Sequence, residues 1–148
     1  MKMRKVLALV AHDARKDDLV QLVKAHKEEL AEVDLVATRD TGQLMQERTG
    51  LPVTLLQSGP LGGDQQIEAL IASEEVNAVI FLRDALVASP HEPDVSPLLR
   101  VCDVHNVPLA TNLASAEAIL RLIAEHQEAL GRHQLAEQFI EGIVAKHG

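Results

Sequence analysis

Asp64 follows two glycines in Gly62-Gly63-Asp64-Gln65-Gln66, where an apolar helical repeat begins. A carboxylate at a helix N-terminus is kept ionised by the helix dipole, and an ionised Asp can act as a base. The commoner job for Asp at such a spot is an N-cap, and that reading stays open. His91 is held between prolines in Pro90-His91-Glu92-Pro93-Asp94, a stiff loop that suits an imidazole moving protons near neutral pH. The plainer alternative is a surface turn with Asp94 capping the next helix. Thr38, Thr41-Gly42 and Ser58-Gly59 each precede a helix or a Gly-rich turn, where backbone N–H groups could hold a small anion. Singly, each is more often a cap or turn; together on adjacent strand ends they read as a binding site. His12-Asp13 has the residue types of a metal pair, but it follows a strand, and Lys16, one helical turn on, could meet a phosphate.

These residues gain meaning from what precedes them. Apolar runs at 6–11, 35–37, 53–56, 78–82 and, more weakly, 108–110 break off into His12-Asp13, 38–42, 58–64, Asp84 and Thr111-Asn112 respectively. If the runs are parallel strands, every cluster lies on the carboxyl edge of one sheet, where open α/β folds bind ligands. Between the runs the period is helical. The spacing predicts helices over 17–30, 41–49 with a stop at Gly50, 63–73, 97–105, and from about Ser115. Strands are predicted over 5–11, 31–37, 53–56, 78–82 and 107–110, the first central because it is apolar on both faces. Alternation of short strands with helices gives βαβ units and a parallel sheet. A final segment beyond Gly131 carries an apolar stripe of Leu135, Phe139, Ile140, Ile143 and Val144, either closing the domain or lying in a subunit interface.

The 148 residues suit a single domain with an aliphatic core, since Phe81 and Phe139 are the only aromatics apart from histidine. A formal charge of −8 and the lack of Tyr and Trp disfavour nucleic acid as a partner. The one cysteine cannot form an intramolecular disulfide, and Cys102 reads as a core thiol. The first apolar run is too short for a signal or membrane span, so the expectation is a cytoplasmic protein without a membrane partner. Neither GxGxxG after the first strand nor GxxxxGK[ST] occurs, which disfavours nucleotide cofactors. His26, His105, His126, His133 and His147 lie outside the clusters and receive no role.

Leu-Val-Ala-His12-Asp13, Leu-Gln-Ser58-Gly-Pro-Leu-Gly-Gly-Asp64-Gln-Gln, Pro90-His-Glu-Pro-Asp94 and Ala110-Thr-Asn112, in this order, resemble methylglyoxal synthase. The resemblance spans about residues 5–120. It implies a three-layer αβα sandwich on a five-stranded parallel sheet, here with an appended C-terminal helix, assembled as a homohexamer. It also implies conversion of dihydroxyacetone phosphate to methylglyoxal and inorganic phosphate, with no metal and no organic cofactor. Asp64 would be the base, and His91 would polarise the carbonyl and move protons between enediolate oxygens. His12, Lys16, Thr38, Thr41, Ser58 and Gly59 match the family's substrate and phosphate contacts, while Asp13, Asp84 and Asp94 match acidic residues lining its pocket.

One departure bears on binding. The family reads Thr-Gly-Thr-Thr-Gly at the second strand end, and this chain reads Thr38-Arg39-Asp40-Thr41-Gly42. A carboxylate about 4 Å from a phosphate charge would cost on the order of 4 kcal/mol at an effective dielectric near 20, roughly a thousandfold in affinity. Arg39 could offset that cost, or strain the turn if its position requires positive φ. The departure supports an alternative, a catalytically lapsed or regulatory anion-binding module of the same fold. A metal-dependent hydrolase using His12, Asp13, Asp64 and Asp84 is a weaker third reading.

Overall fold

Val6–Ala11 has no charged residue and alternates its side chains between two buried faces, which places it inside a sheet. The computed structural model describes residues 4–86 and 95–125. Along the chain it gives β1 (Val6–Ala11), α1 (Lys16–Ala25), α2 (Lys27–Leu30), β2 (Asp34–Ala37), α3 (Arg39–Thr49) and β3 (Val53–Leu55). These are followed by α4 (Gly63–Ala72), β4 (Ala78–Leu82), α5 (Val95–His105), β5 (Leu109–Ala110) and α6 (Leu113–Glu125). Short 3-10 turns lie at Asp13–Arg15 and Gly59–Leu61.

The sheet order is β3-β2-β1-β4-β5, all parallel, with β1 in the middle as its two-sided apolar run predicts. Leu7, Leu9 and Ala11 face a core shared with α1, α3 and α6, through Leu19, Val23, Met45 and Leu120. Ala8 and Val10 face the other side, packing with Ile67 and Ile71 of α4 and Leu98 and Cys102 of α5. The period of two in β1 thus builds the three layers of an αβα sandwich. Strand order reverses between β1 and β4, so the crevice between their carboxyl ends is the switch point where this architecture admits a ligand.

Several boundaries differ from the sequence reading. The predicted 17–30 helix breaks at His26, whose φ of −116° and ψ of 24° close α1 before α2 starts. Its ring instead meets Glu117 of α6 at 2.9 Å, tying two helices of one layer. Val33 belongs to the turn after α2, its N–H bonded to Leu30, and Val107 to the turn after α5, its N–H bonded to Cys102; both strands therefore start later than expected. The most consequential shift is in α3, which begins at Arg39 rather than Thr41 and ends, as predicted, at Gly50 in the left-handed region. Among the described residues only Glu74 and Asn106 are non-glycines with positive φ, so Arg39 carries no such strain. The Pro90–Asp94 motif and the apolar stripe beyond Gly131 lie outside the described residues.

Candidate active site

At the end of β1 the chain turns with His12, whose N–H bonds to Leu82 at the end of β4, so the imidazole is anchored at the switch point. The residue is only 7% exposed, and its ring meets Phe81 edge-on at 5.2 Å. The backbone N–H of Asp84 donates to His12 Nδ1 at 2.8 Å. A donor there requires an unprotonated Nδ1, which leaves the proton of the neutral ring on Nε2. The carboxylate of Asp84 accepts the N–H of Leu86 at 3.1 Å, closing its own turn. Asp84 therefore positions His12 through its main chain, with its carboxylate holding that main chain in place.

Asp64 enters from α4. The N-cap is Gly62, at φ 104°, and Asp64 is the second helical residue, so the N-cap reading does not hold. Gly63 is required on steric grounds: a Cβ there would lie 2.0 Å from the Gln57 carbonyl oxygen and 2.9 Å from Thr38 Cγ2. That contact brings the end of β2 against the start of α4. Ser58 secures the same turn by accepting the N–H of Gly63 at 2.9 Å. At Gly59 a Cβ would stand 3.6 Å from one Asp64 carboxylate oxygen and 3.7 Å from the other, so glycine keeps the approach to that carboxylate open.

Asp64 shares a small apolar cavity with Glu68, lined by Val10, Ile67, Phe81 and Leu98. Burial pushes the Asp64 carboxyl above its ordinary range; a charge on nearby His12 would pull it partway back, but the neutral ring that accepts from Asp84 carries none. Glu68 is also pushed up, chiefly by burial and further by the charge of Asp64. Among the described residues the Asp64 carboxylate makes no hydrogen bond or ion pair, an unshielded arrangement that suits a base.

The structure thus gathers His12, Asp64, Ser58, Gly59 and Thr38 around one crevice, with Asp84 joined through its N–H. Thr38 is the buried N-cap position of α3, and Thr41 lies buried one turn in. Asp13 is placed differently: its side chain is 78% exposed and pairs with Lys16 Nζ at 2.6 Å, so the two form a rim ion pair. Asn112 caps α6 by accepting the N–H of Ser115. His91 and Asp94 lie outside the described residues. Among the described residues no three His, Cys, Asp or Glu side chains converge as metal ligands. Sequence reasoning missed Glu68; its signal is the spacing of four from Asp64, which puts both carboxylates on one helix face.

The MGS-like domain family matches residues 18–111, which include β2 to β5 and every described site residue from Thr38 to Asp84. The methylglyoxal synthase of Carboxydothermus hydrogenoformans is 59% identical over 117 residues, 79% of this chain and 97% of that protein. The chain belongs to the methylglyoxal synthase family. The methylglyoxal synthase of Thermus thermophilus is 57% identical over 119 residues, 80% of this chain and 94% of its own length. The crystal structure of methylglyoxal synthase from Elizabethkingia anophelis superposes with a TM-score of 0.77 at 47% identity, covering 79% of this chain and 77% of that one. Family membership bears out the resemblance carried by His12-Asp13 and the Ser58–Asp64 run, and the parallel sheet and its layers agree with that fold.

Proposed function

We propose that this chain is a methylglyoxal synthase, a lyase that converts dihydroxyacetone phosphate to methylglyoxal and inorganic phosphate. The observation that carries the reading is Asp64: a partly desolvated carboxylate, free of capping duty, at the switch-point crevice of a chain in this family. Asp64 removes a proton from the hydroxyl-bearing carbon, and the electron pair of the broken C–H bond forms an enediolate. The Nε2–H of His12 donates to a substrate oxygen, and His91 polarises the carbonyl and shuttles protons between the enediolate oxygens. Collapse of the enediolate breaks the C–O bond to phosphate, and the resulting enol takes a proton at the former phosphate-bearing carbon to give methylglyoxal. Thr38, Thr41, Ser58 and Gly59 hold the phosphate, with Lys16 sharing its charge between Asp13 and the ligand. Asp94 and Asp84 orient the two histidines.

The reading also takes in one domain over 1–148, with 131–148 as an appended C-terminal helix, a cytoplasmic location, a homohexamer, and no metal or organic cofactor. The alternative, a lapsed or regulatory anion-binding module, rests on Arg39-Asp40. It is weakened because both side chains are exposed and both residues sit in the first turn of α3, where the helix dipole favours an Asp. Incubation of the protein with dihydroxyacetone phosphate and excess chelator separates the two. Equal amounts of methylglyoxal and phosphate are expected; binding of the substrate without product would establish the module instead.

A further inference from the structure

Glu68 lies one helical turn beyond Asp64 on α4, and among the six residues lining their shared cavity these two are the only ionisable ones. Val10, Ile67, Phe81 and Leu98 wall one side of the pair, and both residues are part-buried, so solvent screens their interaction only in part. We infer that Glu68 is a positioning residue for the reaction proposed above: it acts through Asp64, its negative charge set one helical turn from the base in the same cavity. The inference rests on Asp64 being the base and adds a residue to it.

The physical logic is reciprocal. The charge of Asp64 raises the proton affinity of Glu68. By linkage, the charge of Glu68 raises that of Asp64 by the same free energy once both are ionised. The working form is then the doubly ionised pair, in which Asp64 is a stronger base than it would be alone. When the substrate C–H bond breaks, its electron pair stays on the enediolate and the proton goes to Asp64, whose affinity for it the charge of Glu68 has raised. The other neighbours of Asp64 and Glu68 do not supply this effect. From the sheet, His12 opposes it, lowering the proton affinity of Asp64 when protonated. Beside His12 at the end of β4, Asp84 uses its carboxylate on the N–H of Leu86. The turn before α4 presents Gly59, and α5 buries Leu98 and Cys102 while Arg100 and Asp103 stay exposed.

The test uses the full-length protein in two measurements. Carbon NMR titration of the side-chain carboxyls, in wild type and Glu68→Gln, reads the coupling without turnover. The Asp64 midpoint is expected to fall by roughly 0.5–1 pH unit in Glu68→Gln, and the step to sharpen to a single proton. The pH profile of kcat/KM should move with it: the acidic limb shifts to lower pH by about the same amount in Glu68→Gln and returns toward wild type in Glu68→Asp, which keeps the charge. An Asp64 titration unaltered by Glu68→Gln overturns the inference, as does a coupled titration with an unmoved acidic limb. A wild type without turnover would contradict the proposed function, while the titration still decides whether the two carboxyls are coupled.

Discussion

The side chains at this crevice are set to their tasks by small local differences. Asp64 gains its proton affinity from burial, and a carboxyl whose folded value is raised has a definite linkage sign. Its charge costs stability at pH above the folded value, and the cost disappears below the unfolded one. Asp64→Asn should therefore melt at a higher temperature than wild type at pH 7, with the gap closing as pH falls below the ordinary carboxylate range. A gap that is constant with pH would mean Asp64 is solvated. Asp40 is exposed in the first turn of α3, so its charge is screened by solvent. Asp40→Thr is accordingly expected to change kcat/KM less than about tenfold, far short of the roughly thousandfold effect of a carboxylate facing the phosphate; steady-state kinetics on the two proteins reads the difference.

What could be foreseen at this scale follows residue type. His12 and Asp84 stood out because they follow apolar runs, and Asp64 because it follows two glycines at a helix start, but the way Asp84 acts did not. It uses its backbone N–H, which every residue but proline possesses, so no side-chain pattern could reveal it. The Lys16–Asp13 pair was hidden for a different reason: both residues read as ligands for something else before their three-residue spacing closed them on each other.

At the scale of elements, the type of each strand and helix was legible and its ends were not. Strands β1 and β4 are apolar over their whole length, a pattern that only a covered sheet uses. The start of α3 was misjudged because Arg39 and Asp40 resemble a solvated turn, whereas Arg39 is a ready helix former and Asp40 suits a first turn. The junction of α4 with β2 is the element contact that places Asp64. Adding a Cβ at Gly63 meets backbone rather than a movable side chain, so Gly63→Ala forces the Gln57 carbonyl and the start of α4 apart. Overpacking of this kind costs on the order of 1–3 kcal/mol, and here the upper end is expected, with turnover falling more than the melting temperature alone explains. Thermal melting beside kinetics checks it; Gly63→Ala with wild-type kcat would show that the junction does not position Asp64.

For the whole molecule, the strand order and the reversal between β1 and β4 explain why residues 12, 64 and 84 meet although nearly half of the chain lies between the first and the last of them. The sequence predicted that they share an edge; which of them are neighbours depends on strand order, which local periodicity does not encode. Exposed Leu61, at the turn before α4, and Leu86, after β4, both lie at the carboxyl edge. The proposed hexamer predicts a light-scattering mass of about six times the 16.1 kDa chain. A pure monomer at micromolar concentration would contradict the assembly without touching the chemistry.

The central claim is that Asp64 is the base of a phosphate-eliminating reaction, and the most direct test compares wild type with Asp64→Asn on dihydroxyacetone phosphate. Asn keeps the shape of the side chain and removes the proton acceptor. Methylglyoxal and phosphate formation should fall by on the order of a hundred- to ten-thousand-fold, with substrate binding and the melting transition retained. Undiminished phosphate release by the folded Asp64→Asn protein would contradict the account.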